Sequence, residues 1–188
     1  MASKGEQTRQ EIVAAAKLLF YRRGYSNTSF SDIVAVTGVQ RGNIYHYFKT
    51  KDDILAAVIE QRLDEYEVAL HNWDQEYSDP KDRLRRFVQM VASNRGELAQ
   101  YGCPIGTLSA ELGKEYCDLQ GAVRRLFDLF RDWLAEQFRQ LGKPKQAKSL
   151  SLHLLGRTEG ISVIGHVYAD PALITAEIKS LQKWVDEL

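Results

Sequence analysis

Apolar residues recur every three or four positions over most of the 188-residue chain, which is the spacing of amphipathic helices. This pattern predicts a long helix from Lys51 to about Tyr77 and another from near Cys117 to Leu141. It also predicts a final pair of helices, from about Lys145 to Tyr168 and from Pro171 to the end. We therefore predict an all-α fold.

Two segments fit this pattern less well. Residues 161–168 are rich in β-branched side chains and could form a strand by propensity alone, although the leucine-rich turns beside them favour helix. Residues 96–106 are expected to be the loosest part of the chain, with Pro104 opening a short helix through Leu112.

Residues 28–55 predict a short helix, a tight turn, a second short helix and the start of the long helix. Ile33, Val34 and Val36 supply the apolar face of the first helix. Gly38 ends that helix, because glycine tolerates the left-handed backbone that a sharp reversal needs. This segment therefore has the layout of a helix-turn-helix.

The second short helix, from Gln40 to Tyr47, has an apolar face and a polar face. Ile44 and Phe48 are expected to face inward. The side chains expected to face outward are Arg41, Asn43, Tyr45 and His46. Such side chains suit DNA base edges and phosphates, so the pattern favours a DNA reader.

The runs T-S-x-x-D-I and G-V-x-x-G-x-I-Y-x-Y-F-x-x-K resemble the DNA-binding domain of the TetR family of transcriptional regulators. The resemblance covers roughly the first sixty residues. It implies a DNA-binding domain over residues 5–65, with its helix-turn-helix at 29–48, and an effector-binding and dimerisation domain over 66–188. Asn43, where the family often has threonine, is expected to affect specificity.

The resemblance also implies which residues contact DNA. Arg41 and Asn43 are expected to reach base edges, where arginine can bind guanine and asparagine can bind adenine. Gly42 would let the backbone approach DNA closely. The expected phosphate contacts are Thr28, Tyr45, His46 and Lys51. The full expected set is Thr28, Ser29, Gln40, Arg41, Gly42, Asn43, Tyr45, His46 and Lys51.

The distribution of charge supports this reading. The chain holds 25 basic and 25 acidic residues, which by itself would argue against a nucleic-acid partner. Residues 1–51, however, hold eight basic residues against three acidic ones, and the remainder holds 17 against 22. The positive charge is therefore concentrated in the part that resembles a DNA reader.

Small residues in the penultimate helix point to close helix packing. In regulators of the TetR family, the last two helices form a four-helix bundle with the same pair from a second subunit. The interface residues expected on this basis are Gly156, Gly160, Ile164, Ile178, Leu181 and Trp184. Tight packing within one monomer is the alternative.

The aromatic residues of the second half could line an effector pocket, or they could be ordinary core residues. His153 and Arg157, four residues apart, are the better candidates for polar recognition. The expected effector-binding set is Trp73, Phe87, Met90, Tyr101, Cys103, Phe130, Trp133, His153 and Arg157.

Cys103 lies in the run YGCPIGTLSAEL, which resembles a TetR subgroup with G-C/I-P-hydrophobic-G at this place, including electrophile- and drug-responsive regulators. A thiol just before Pro104, at a helix N-terminus, would be expected to favour the reactive thiolate. Alternatively, Cys103 is a small buried apolar residue. The two cysteines do not suggest a disulfide framework.

We expect a DNA-binding repressor that a small hydrophobic or aromatic effector releases from a palindromic operator. A thiol-based redox or electrophile sensor acting through Cys103 is the alternative. The expected partners are double-stranded DNA, a second copy of the chain and an unidentified effector. No enzyme motif, cofactor motif, metal-ligand spacing, signal peptide or membrane-spanning run is recognisable, so we expect a cytoplasmic protein that is not an enzyme. An interaction protein that keeps the fold without binding DNA is a further alternative.

Overall fold

The computed structural model describes residues 3–115 and 117–188. Within these residues every regular element is a helix, which confirms the all-α prediction and the helical reading of residues 161–168. The helices are α1 (Lys4–Arg23), α2 (Phe30–Thr37), α3 (Arg41–Tyr47), α4 (Lys51–Glu76), α5 (Pro80–Ser93), α6 (Arg95–Tyr101), α7 (Gly106–Glu115), α8 (Cys117–Gln140), α9 (Ala147–Val167) and α10 (Pro171–Asp186).

The chain divides into two compact units. The N-terminal unit consists of Met1–Asp64 with Thr107–Leu126, and the C-terminal unit consists of Glu65–Gly106 with Phe127–Leu188. Helices α4 and α8 each contribute residues to both units. The assignment of DNA binding to residues 5–65 and of effector binding to 66–188 stays a prediction. The structure adds that residues 107–126 cluster with the N-terminal unit.

The helices of the N-terminal unit have well-defined ends. Ser3 caps α1 by accepting a hydrogen bond from the Glu6 N–H at 3.2 Å. Gly38 ends α2 with a left-handed backbone (φ +68°), as the sequence predicts. Helices α1, α2 and α3 pack against one another. The fully buried apolar residues of α1 to α4 include Ile12, Ala16, Ile33, Ile44, Ile54, Leu55 and Ile59.

The C-terminal unit is assembled around α9 and α10. Helix α10 packs against α5 and α9, and α6 packs against α9. Asp79 and Asp170 cap α5 and α10, each directly before a proline in the first turn. Proline is favoured there because the first N–H groups of a helix have no intrahelical partner.

Two sequence expectations need correction. The segment 96–106 is not uniformly loose, because α6 occupies its first part and buries Leu98 and Ala99. Val36 does not belong to the apolar face of α2, since 56% of its surface is exposed. Among the described residues, the structure has no helix with the length and apolar character needed to cross a membrane.

Candidate nucleic-acid interface

Helix α3 is anchored by its apolar side, which leaves its polar side facing outward. Ile44 and Phe48 are buried in the core of the N-terminal unit. The predicted DNA-contacting residues at the start of and along α3 are all exposed, namely Gln40, Arg41, Gly42, Asn43, Tyr45 and His46. Gln40 makes no side-chain cap for α3. These six residues therefore all belong to the exposed surface formed by α3 and the residue before it.

Aromatic stacking orients Arg41 on this face. The Tyr45 ring stacks on the Phe30 ring of α2, with centroids 4.8 Å apart and an interplanar angle of 13°. The Arg41 guanidinium lies 5.6 Å from the centroid of the Tyr45 ring, and its Nη2 lies 3.3 Å from the Tyr45 hydroxyl oxygen. Arg41 is therefore partly ordered before any ligand arrives.

Ser29 begins α2 with a reciprocal capping box. The Ser29 N–H donates to Asp32 Oδ2 at 2.8 Å, and the Asp32 N–H donates to Ser29 Oγ at 3.3 Å. The hydrogen bonds from Ser29 lower the pKa of Asp32, and the nearby Arg23 guanidinium adds to this effect. Ser29 itself is exposed, so its predicted contact with DNA stays a prediction.

Two predicted phosphate contacts make internal bonds instead. Thr28 is only 1% exposed, and its hydroxyl donates to the Gly24 carbonyl at 2.8 Å. The half-buried Lys51 donates from Nζ to the Tyr25 carbonyl at 2.8 Å, with Nζ 4.1 Å from the centroid of the Tyr25 ring. These bonds support a structural role for Thr28. Lys51 already uses one N–H donor within the protein, so only its remaining donors are available to a phosphate.

Lys49 is a further exposed cation beside α3, outside the set of residues expected to contact DNA. It is exposed directly after α3, and its Nζ donates to the Tyr45 carbonyl at 2.8 Å. A positive charge at a helix C-terminus interacts favourably with the last carbonyls. The feature of the sequence that points to Lys49 is its position two residues after Tyr47, where α3 ends.

The predicted dimer residues fall into two groups. Gly156, Gly160 and Ile164 lie on an exposed face of α9, and an added Cβ on either glycine would meet nothing within 4 Å. Ile178 and Leu181 are instead 2% and 0% exposed, within the core of their own unit. The α9 apolar face also includes residues that the prediction did not name, Leu152, Val163, Val167 and Tyr168.

Gly165 and Trp184 serve packing within the chain. An added Cβ on Gly165 would collide with Ile174 of α10, so glycine allows α9 and α10 to approach closely. Trp184 on α10 packs between Phe138, at a ring-centroid distance of 6.4 Å, and His153, at 5.0 Å.

The structure brings four of the predicted effector residues into one aromatic cluster. Phe130 and Phe87 have ring centroids 5.6 Å apart, and Trp133 and Trp73 have centroids 5.8 Å apart. The Trp133 indole N–H donates to the Asp74 carboxylate at 3.1 Å. Met90, Tyr101 and Arg157 are half-buried, and exposed His153 packs against Trp184 with the two rings tilted by 49° rather than joining the cluster.

The environment of Cys103 opposes the thiolate form. Its thiol donates to Glu159 Oε1 at 3.1 Å. Burial, reinforced by the charge of Glu159, raises the pKa of Cys103 to about 12. Hydrogen bonds from the backbone N–H groups of Gly106 and Ile105 lower the pKa of Cys103, but burial and Glu159 outweigh them. Burial likewise raises the pKa of Glu159. The helix N-terminus therefore does not make this thiol a thiolate at neutral pH.

We expect Cys103 to react slowly with iodoacetamide at pH 7, because the thiolate is the reacting form. Glu159→Gln should speed the reaction by removing a nearby negative charge. The rate is measured by mass spectrometry in a Cys117→Ser background, with Glu177→Gln on the exposed face of α10 as the control. Rapid labelling of the parent protein would contradict the protonated state of the thiol.

Comparison with known proteins bears on this arrangement. The sequence model described as "Bacterial regulatory proteins, tetR family" matches residues 12–58, which include α2 and α3. An uncharacterized HTH-type transcriptional regulator in the lacX 3' region of Lactococcus lactis subsp. lactis is 29% identical over 136 residues, covering 71% of this chain and 69% of that protein. The HTH-type transcriptional repressor NemR of Escherichia coli K12 is 27% identical over 122 residues, covering 64% of this chain and 60% of NemR. The matches thus span only about two thirds of these relatives.

Solved structures share the fold over nearly the full length. A TetR-family regulator from Agrobacterium tumefaciens gives a TM-score of 0.85 at 21% identity, covering 96% of this chain and 98% of that one. The reduced form of E. coli NemR gives a TM-score of 0.82 at 18% identity, covering 94% and 96%. The two sequence relatives are described as an HTH-type transcriptional regulator and an HTH-type transcriptional repressor.

Proposed function

We propose that the chain is a TetR-family transcriptional regulator, and not an enzyme, which represses transcription by binding a palindromic operator as a homodimer. A small hydrophobic or aromatic effector would release it. The observation that carries the proposal is the exposed face of α3, where Arg41 lies against Tyr45. The bidentate donors of arginine suit a guanine edge in the major groove.

The short length of the reading helix supports the proposed dimer. Helix α3 has seven residues and can contact only a few base pairs. A twofold axis doubles the recognised sequence and places the two half-sites about one helical turn, or 34 Å, apart. The α9 apolar face offers a surface for the second copy, since its glycines let another helix approach closely and its large side chains are unusually exposed.

The proposed effector region is the aromatic cluster of the C-terminal unit. Continuous helix α4 begins at Lys51, four residues after α3 ends, and carries Trp73 of the cluster near its other end. An effector that displaced part of the cluster would tilt α4 and change the separation of the two reading helices. A tenfold loss of DNA affinity requires the effector to prefer the released state by only about 1.4 kcal/mol.

A gel-shift assay with the DNA upstream of the protein's own gene tests the proposal. We expect retardation that weakens steeply as salt rises, because phosphate contacts release counterions. A scrambled duplex of the same composition is the control and should bind much more weakly. Equal retardation of both duplexes would argue against sequence-specific regulation.

The thiol-sensing alternative is less well supported. The protonated, hydrogen-bonded Cys103 lacks the thiolate character that electrophile sensing needs. If Cys103→Ser kept its DNA affinity but lost release by an electrophile such as N-ethylmaleimide, the alternative would gain support. Release that persists in the variant would exclude it. A cytoplasmic location stays a prediction.

A further inference from the structure

Helix α7 places a carboxylate on the turn between α1 and α2. Glu111 Oε2 accepts a hydrogen bond from the Tyr25 N–H at 2.9 Å, and Glu111 Oε1 accepts one from the Ser26 N–H at 2.7 Å. All three residues belong to the N-terminal unit, although 85 residues separate Ser26 from Glu111 along the chain. The match to the family sequence model ends at residue 58, so it does not include Glu111.

The same turn is also hydrogen-bonded to residues at the start of α4. The Tyr25 carbonyl accepts from Lys51 Nζ at 2.8 Å, and the Tyr25 hydroxyl donates to Asp52. The Thr28 hydroxyl donates to the Gly24 carbonyl at 2.8 Å. Residues of α4 and α7 therefore fix the turn from two directions, immediately before Ser29 starts the helix-turn-helix.

The two N–H groups need an acceptor that the turn itself does not supply. Tyr25 and Ser26 follow Gly24, which ends α1 with φ +87°, so neither N–H continues the helical ladder. Tyr25 is almost fully buried, where an unpaired N–H would be costly. A carboxylate accepting two backbone N–H groups makes stronger bonds than a neutral acceptor.

We propose that Glu111 is a positioning residue that couples α7 to the DNA-reading helices through the α1–α2 turn. This inference rests on the proposed function. Helix α7 starts at Gly106, directly after the loop in which the Cys103 thiol bonds to Glu159. A displacement of α7 would pull Glu111 away from Tyr25 and Ser26 and so release the segment that leads into α2. Conversely, DNA bound at α3 would make α7 more rigid.

Amide hydrogen exchange with and without DNA tests the coupling. The probe is a duplex selected from a random pool by the parent protein. In the parent, we expect the duplex to slow exchange at α3, at Tyr25 and Ser26, and over residues 106–113. Glu111→Ala should keep the effect at α3, lose it over residues 106–113, and bind the duplex roughly five- to twentyfold more weakly. Glu111→Gln, which retains one acceptor oxygen, should be intermediate.

Glu67→Ala, at an exposed position on α4, is the matched control and should change duplex affinity less than twofold. A merely structural role for Glu111 would speed exchange throughout the N-terminal unit without DNA, and the DNA-dependent slowing over residues 106–113 would persist. That result, or parent-like behaviour of Glu111→Ala, would overturn the inference. If the parent selected no duplex at all, the proposed function itself would fail.

Discussion

Arg41→Ala is expected to weaken binding to the preferred duplex by about 1–3 kcal/mol and to relax discrimination at the base pair that Arg41 contacts. The exposed guanidinium of Arg41 lies against the Tyr45 ring and hydroxyl, so it is partly ordered before DNA binds. Truncation would remove the bidentate base contact that we propose for Arg41, whereas non-specific affinity depends mainly on phosphate contacts. Affinities for the preferred duplex and for single-base-pair variants, measured by fluorescence anisotropy, test this expectation.

Two further variants separate the sources of the effect. Tyr45→Phe keeps the ring that stacks on Phe30 but removes the hydroxyl near Arg41, so it should cost less than Arg41→Ala. Lys49→Ala should weaken binding to all duplexes alike and reduce the slope of log affinity against log salt by about 1. Lys49 suits this comparison better than Lys51, because Lys49 is exposed, whereas Lys51 is half-buried with its ammonium group on the Tyr25 carbonyl and ring. An equal loss on all duplexes for both Arg41→Ala and Lys49→Ala would contradict the division of roles.

Ile164→Glu is expected to convert a dimer into a monomer and to remove high-affinity operator binding. Ile164 is 46% exposed on the α9 apolar face. A twofold axis through this face would bring a new carboxylate from each subunit into one apolar interface, where desolvation and repulsion both oppose association. Sedimentation equilibrium should then give a mass near 21.4 kDa instead of about twice that value.

Val68→Glu is the matched control, because Val68 is also exposed but lies on α4. That variant should remain dimeric and keep its operator affinity. Circular dichroism should show unchanged helix content for both variants, since both positions are open to solvent. A parent protein that is monomeric at micromolar concentration, or an Ile164→Glu variant that stays dimeric, would rule out the α9 apolar face as the interface.

Local signals in the sequence predicted the helices well. These signals are the helical periodicity, the prolines after capping aspartates and Gly38 at the reversal. Each acts over a few residues, so its effect can be predicted without knowledge of the tertiary structure. The same holds for α3, where Ile44 and Phe48 are inward and the polar residues are outward. Val36 was misjudged because an apolar residue at helical spacing can still lie beyond the edge of the core.

Residue type and spacing alone determined the helical class, the helix-turn-helix and the concentration of positive charge near it, because these depend on neighbours in the chain. The tertiary structure decided the protonation of Cys103, the burial of Thr28, Ile178 and Leu181, and the bonds between Glu111 and the α1–α2 turn. Each of these depends on atoms from distant segments that meet only after folding, and desolvation and hydrogen bonding act over the few ångströms between them.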